Sequence, residues 1–149
     1  MKIALSSDMS KPIVDNIYKW LIKNDHKVIW HKSEANLPWP LAASHVAKNV
    51  QSGEADSGIL LCWTGTGVSI AANKFKGIRA ALCKDAETAK GSKLWNNANV
   101  LCLAINELNE KTAEDIITTW LTTDYIPTDE EEHCLALLNK IESGEKLNY

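Results

Sequence analysis

Short apolar runs alternate with amphipathic segments from one end of the chain to the other. Five runs have the length and composition of strands, at residues 3–6, 27–30, 57–62, 78–83 and 98–103. Between them apolar residues recur at helical spacing: Ile13, Ile17, Trp20 and Leu21, then Leu41, Val46 and Val50. The same period returns over 68–75, over 86–94, and at Ala113, Ile116, Ile117 and Trp120. Several of the strand runs are apolar on both faces, as in Gly58-Ile59-Leu60-Leu61-Cys62, which suits a parallel sheet covered by helices on both sides. The β-α-β alternation predicts a doubly wound α/β domain, whose ligands bind beyond the carboxyl ends of the strands. Functional weight therefore falls on the residues just after strands: Ser7-Asp8, 63–67 and Asp85.

A last helix is predicted over 128–141, capped by Thr128 or Asp129, glutamate-rich in its first turn and stopped by Gly144. Its apolar stripe (Cys134, Leu135, Leu137, Leu138, Ile141) needs a surface to cover, in the same chain or a partner. Nothing in the sequence reads as a repeat, a low-complexity stretch or a linker, so residues 1–149 form one domain. A net charge of −3 gives no reason to expect nucleic acid or an anionic membrane as partner. The first residues read as a strand and no run approaches the ~18 apolar residues of a membrane helix, so a cytoplasmic location is expected.

Four cysteines at 62, 83, 102 and 134 include no CxxC pair, so metal-ligand spacing is absent and no metal is expected. Cys83 and Cys102 lie in apolar strands and Cys134 in a helical pattern, where a small buried hydrophobe is the expected role. His26, His31 and His45 lie along polar helix ends and loops and read as solvated.

Cys62 differs from the other three because it leads directly into a glycine-rich turn. In Cys62-Trp63-Thr64-Gly65-Thr66-Gly67-Val68-Ser69 two glycines stand where the backbone must turn and admit a ligand, and a helix begins at once. The orphan N–H groups of such a helix start favour an anion or a developing oxyanion, and a thiol beside them is a usable base or nucleophile. A dinucleotide fingerprint fails because Ile70 holds the place of its third glycine, and no Gly-Lys-Ser/Thr of a P-loop is present.

Three blocks carry a resemblance: Gly58-Ile59-Leu60-Leu61-Cys62-x-Thr64-Gly65-x-Gly67, Ser69-Ile70-Ala71-Ala72-Asn73-Lys74, and Gly77-Ile78-Arg79-Ala80-Ala81. The chain resembles ribose-5-phosphate isomerase B and its galactose-6-phosphate isomerase relatives, over nearly its whole length. Asp8, Trp39-Pro40, Ala43-Ser44-x-Val46-Ala47 and Asn96-x-x-Asn99-Val100-Leu101 also fit that pattern. The resemblance implies a flavodoxin-like, three-layer α/β/α sandwich on a five-stranded parallel sheet. It implies a dimer or larger assembly with active sites between subunits, and aldose–ketose isomerisation through a cis-enediolate without metal or cofactor. Carried over, Cys62 is the base, the N–H groups from Gly65 through Thr66 to Gly67 hold the enediolate oxygen, Thr64 stands beside them, and Asp8 completes the catalytic set.

Departures from the family pattern are as informative. The ring-opening histidine is replaced by Trp95, and the histidine after the first aspartate by Met9. The phosphate-binding arginines align with Asn106, Asp129 and His133, and Arg79 is the sole arginine of the chain. Lys84, Lys90 and Lys93 carry charge nearby without a guanidinium fork. Trp39 and Trp63 stand where the family has tyrosine and glycine. With Ser69 and Asn96, these positions make the substrate-binding set that the resemblance implies, gathered in one pocket. Three functions fit: an isomerase for a sugar other than ribose 5-phosphate, a non-catalytic homologue that binds a sugar or a partner, or one subunit type of an assembly completed by a paralogue.

Overall fold

The computed structural model describes residues 1–32 and 36–147. In chain order the elements are β1 (Lys2–Ser7), α1 (Pro12–Lys23), β2 (Lys27–His31), α2 (Trp39–Gln51), β3 (Ser57–Cys62), α3 (Thr66–Ala72), β4 (Ala80–Leu82), α4 (Ala86–Asn96) and β5 (Val100–Ala104). A 3-10 turn (Ile105–Glu107), α5 (Glu110–Thr122) and α6 (Asp129–Ser143) complete the chain. All five strands are parallel, in the order β2-β1-β3-β5-β4. The predicted sandwich is the observed fold.

Side chains of successive strand residues point to opposite faces, and the two cores divide accordingly. Ile59 and Leu61 of β3 join Ile3, Leu5, Leu101 and Leu103 under α1, α4 and α5. Leu60 and Cys62 join Ala4, Val100 and Cys102 under α2 and α3. Every residue of β3 is buried, the mark of a central strand covered on both faces. Trp120, the largest buried side chain, donates its indole N–H to the Ser57 hydroxyl at 3.0 Å, so its one polar group is satisfied.

Element ends differ from the apolar pattern where hydrogen bonding outranks hydropathy. The strand predicted over 78–83 shrinks to Ala80–Leu82 because two asparagines take over the backbone that leads into it. Asn99 accepts from Arg79 N–H and donates to the Gly77 carbonyl, both at 2.8 Å. Asn73 accepts from Ala80 N–H at 2.9 Å and donates to the Ala80 carbonyl at 2.8 Å. The helix predicted over 68–75 begins two residues earlier and stops at Ala72, with Asn73 as its C-cap. Three histidines and one cysteine correct the sequence reading. His31 and His45 stack at 4.8 Å between β2 and α2, and His31 Nε2 lies 2.6 Å from Asn49 Oδ1, so neither is a solvated loop residue. His26 has a buried Nδ1. Cys134 is exposed, because no side chain of α6 is buried.

Candidate active site

Strand β1 is followed by β2 on one side and, after α2, by β3 on the other, so the chain reverses direction across the β1–β3 boundary. The carboxyl ends of these two strands open a crevice of the kind in which such folds bind ligands. Backbone bonds shape its rim. Asp8 N–H donates to the Leu61 carbonyl at 3.3 Å, the Asp8 carbonyl accepts from Leu37 N–H at 2.9 Å, and Asn106 N–H donates to the Trp63 carbonyl at 3.1 Å. The ends of β1, β3 and β5 are thereby tied into one platform.

Cys62 closes β3, 4 % exposed, on the side that faces α3. The chain then turns at Gly65, whose φ of +71° is left-handed. A Cβ there would also run into Leu82 Cδ1 and come within 3.0 Å of the Leu103 carbonyl carbon. Gly67 is needed for a different reason: the Trp39 ring lies against it, and a Cβ would sit 3.1 Å from Trp39 Cδ2. Thr64 and Thr66 face each other with hydroxyl oxygens 2.7 Å apart. The first N–H groups of α3 have no acceptor inside the helix, so the turn presents donors beside the thiol.

Asp8 stands across the crevice. Its Oδ1 is buried without a hydrogen-bond partner, and burial pushes the carboxyl above its usual range against the opposing pull of its backbone N–H. Met9 comes next in the chain, but its side chain packs toward the core beneath β2, and its N–H donates to the Ser7 hydroxyl at 3.2 Å. Burial pushes the Cys102 thiol, on β5 behind Cys62 and near Ser69, far above the ordinary cysteine range. Ser69 itself is half-buried on α3. Trp63 is 54 % exposed at the crevice mouth.

Within the single chain, Trp95 and Asn96 lie away from this crevice. Helix α4 runs back from the carboxyl end of β4, so Trp95 and Asn96 reach the amino edge of the sheet. There, with Arg79, they line a groove of about 510 Å³ beneath α6. Gly77 N–H donates to Glu142 at 2.7 Å and fixes the far end of α6 at the same edge. Asp129 and His133 sit in the first turns of α6, and Glu131 N–H donates to the capping Thr128 hydroxyl at 3.3 Å. A five-residue strand spans roughly 16 Å, so a small sugar at Cys62 does not touch Trp95 of its own chain.

Asn106 alone among the arginine replacements stays at the carboxyl edge, in a recess of about 150 Å³ with Thr64, Cys83, Lys84 and Glu107. Glu107 and Cys83 carry no motif signal, and only the placement of β5 between β3 and β4 brings them beside Thr64. Among the described residues no group of three or more His, Cys, Asp or Glu side chains is arranged to hold a metal ion.

Comparison with known proteins agrees with this fold. The family model described as Ribose/Galactose Isomerase matches residues 3–137. The galactose-6-phosphate isomerase subunit LacB of Clostridium acetobutylicum is 34 % identical over 98 % of this chain and 86 % of its own length. Ribose-5-phosphate isomerase B of Escherichia coli is 43 % identical over 62 % of each chain. Among solved structures, the Clostridium thermocellum ribose-5-phosphate isomerase B superposes with a TM-score of 0.92 at 35 % identity, covering 97 % of this chain and 99 % of that one. The Mycoplasma genitalium enzyme with bound ribulose 5-phosphate gives 0.88 at 29 %, covering 95 % and 96 %. With the family model, the whole-length relative and the fold in agreement, the chain is a member of the ribose/galactose isomerase family of aldose–ketose isomerases.

Proposed function

We propose that the protein interconverts an aldose and a ketose through a cis-enediolate, with Cys62 as the base. The observation that carries this reading is the juxtaposition of Cys62 with the Gly65 turn and the unpaired N–H groups of α3. As thiolate, Cys62 takes the C2 proton of an open-chain aldose. The charge that develops on O1 falls among the N–H groups of Gly65, Thr66 and Gly67, with Thr64 beside them. The proton returns from Cys62 to C1 while the O2 proton passes to O1, leaving a hydroxyl at C1 and a ketone at C2. Asp8, held above the usual carboxylate range by burial, suits the exchange of hydroxyl protons.

The substrate differs from ribose 5-phosphate on this reading. Tryptophan cannot relay a proton from a ring hydroxyl, and no arginine stands at the positions that would grip a phosphate. Trp39 and Trp63 offer aromatic walls to the carbon skeleton. The roughly 16 Å between the two edges argues that Trp95 and Asn96 serve the crevice of a second chain. That chain is a second copy or a paralogue, and the relative named as a LacB subunit favours keeping the second option.

The test is incubation in D2O with a panel of aldoses, aldose phosphates and sugar acids, following deuteration at C2 by NMR. Exchange that disappears in Cys62→Ala supports the reading, whereas rapid turnover of ribose 5-phosphate overturns the substrate assignment. Saturable sugar binding without any exchange would instead identify a non-catalytic homologue.

A further inference from the structure

Two hydroxyls meet across the glycine turn. Thr64 Oγ1 and Thr66 Oγ1 are 2.7 Å apart, the ordinary length of an O–H···O hydrogen bond. Gly65 lies between them, and its left-handed φ folds the chain so that the two side chains converge. Resting on the isomerase reading of this same site, we propose that the Thr66 hydroxyl is a catalytic group in its own right. With Thr64 it forms a two-hydroxyl relay that carries the O2 proton of the enediolate to O1.

The pair is free for this work. Both threonines are exposed, and among the described residues neither hydroxyl has another hydrogen-bond partner. Polar side chains at other helix starts are used as caps. Asp85 accepts from Thr88 N–H at 2.8 Å, Asn109 from Thr112 N–H at 2.9 Å, and Thr128 from Glu131 N–H at 3.3 Å. Helix α3 starts without such a cap, since its N-cap is Gly65. Thr122 and Thr123 turn back to carbonyls four residues earlier, at 2.7 Å each. Thr66, as the first residue of α3, has no preceding helical turn to bond to. Its hydroxyl stays at the surface on a β-branched side chain with few rotamers, and Thr64 is the partner it finds. The motif that carries the family resemblance leaves this position open, so the second hydroxyl comes from this chain and not from the motif.

The reaction has a use for such a pair. Once Cys62 holds the C2 proton, O1 carries the charge and O2 still carries its hydrogen. Completing the ketose requires O2 to lose that proton and O1 to gain one. The two oxygens of a cis-enediolate lie about one hydrogen-bond length apart, as do the two threonine oxygens, so each hydroxyl faces one substrate oxygen. Thr64, beside the N–H groups that receive O1, gives its proton to O1 and takes the proton of Thr66, while Thr66 takes the proton of O2. The C1–H bond then forms from the Cys62 thiol and the enediolate electrons close the C2 carbonyl. Both threonines end as neutral hydroxyls and Cys62 as thiolate. C1 is reduced and C2 oxidised within one molecule, with no outside reagent. Asp8, across the crevice, is the rival carrier of this proton.

The experiment separates proton removal from carbon and proton transfer between oxygens. Aldotetroses to aldohexoses, free and phosphorylated, are incubated in D2O. NMR follows deuterium at C2 of the recovered aldose and the amount of ketose formed. An enediolate that returns to aldose needs no transfer from O2 to O1, so its C2 label persists when the relay is cut. Thr66→Val keeps the side-chain shape and removes the hydroxyl. It is expected to form ketose about tenfold more slowly relative to C2 deuteration, and Thr66→Ser to restore the wild-type ratio. A structural defect would slow both alike. The double variant Thr64→Val, Thr66→Val should lose no more than the more impaired single variant, because either cut breaks the same relay.

An unchanged ratio in Thr66→Val, or losses that add in the double variant, overturns the relay while leaving the isomerase reading intact. A ratio that shifts in Asp8→Asn but not in Thr66→Val assigns the transfer to Asp8 and overturns it equally. If no aldose exchanges or isomerises even with the wild-type protein, the isomerase reading fails and the relay with it.

Discussion

The two edges of the sheet are built in opposite ways. At the carboxyl edge each candidate group is fixed by backbone: Cys62 by a fully buried strand, the turn by a left-handed glycine, and Asp8 by bonds to Leu61 and Leu37. At the amino edge the candidates sit on helix surfaces over a groove of about 510 Å³, and α6 buries none of its side chains. Leu138 and Ile141 are 43 % and 58 % exposed. The turn after Cys62 is complete within one chain because its geometry comes from the main chain. The half that would recognise the rest of the substrate is left as an unfinished surface, which is where members of one family can diverge without disturbing the fold.

The sharpest way to break this contrast is at Gly65. Gly65→Ala imposes a left-handed alanine, about 1–2 kcal/mol, and crowds Leu82 and the Leu103 carbonyl, about 1–3 kcal/mol more. The expected outcome is a Tm lower by about 5–10 °C. Sugar exchange should fall by about a hundredfold to a thousandfold as the oxyanion donors move. Calorimetry and the D2O assay check both, and an alanine variant of wild-type activity would show that the turn does not hold the enediolate.

Next in size is the loss of the amino edge. The double variant Leu138→Asp, Ile141→Asp places two charges on a stripe already exposed in the single chain, so the domain itself should lose little stability. Sedimentation should show the wild type as a dimer or larger and the variant as a monomer, with exchange reduced by about a hundredfold. A monomer that keeps full exchange would mean that the carboxyl edge suffices alone.

A smaller effect separates stability from activity at the carboxyl edge. Burial raises the Asp8 carboxyl above 3.8, so the folded state holds that proton to higher pH than the unfolded state. The stability linked to it is present at low pH and is lost as pH rises through the folded pKa, leaving an ionised, poorly solvated Asp8 as a cost at neutral pH. Asp8→Asn should therefore raise Tm at pH 7 by about 1–2 °C while lowering exchange by about tenfold. A lower Tm would contradict the burial of Asp8 Oδ1.

These contrasts also mark what is legible in the sequence. Strand β3, Cys62 and the glycine turn are readable because buried parallel strands and left-handed turns restrict residue type. The division of Trp95 from Cys62 is not, since it depends on α4 reversing direction and on β5 inserting between β3 and β4. That topology leaves no local signature. The recess with Lys84 and Glu107 is hidden for the same reason. His31 and His45 pass for solvated residues because their partners, each other and Asn49, are distant in sequence or on the next turn of a helix. Cys134 looks like core because an apolar stripe in the sequence does not say whether anything covers it.

The histidine pair offers the finest test, because α2 joins it to the turn after Cys62. Trp39 at the start of this helix leans on Gly67, and His45 in its middle stacks on His31. Burial, then His31 and then Lys48 lower the His45 pKa from 6.5, and its buried Nδ1 has no partner. Among the described residues, Asn49 lies on His31 Nε2, Glu54 accepts from Asn49 at 2.7 Å, and Lys11, Asp15 and Lys32 line the recess beside His31. Between the lowered folded value and 6.5 the unfolded chain binds more protons, so stability rises with pH and is lost as pH falls below 6.5. His45→Gln should flatten this slope, by about 1–2 °C in Tm between pH 7 and pH 5. Some slope remains from His26, whose pKa burial also lowers. If the wild-type loss of exchange at low pH flattens together with the stability, the seating of α2 on β2 reaches the catalytic turn through Trp39. If stability flattens and exchange does not, the carboxyl edge is set by β3 and its turn without help from the helix above them.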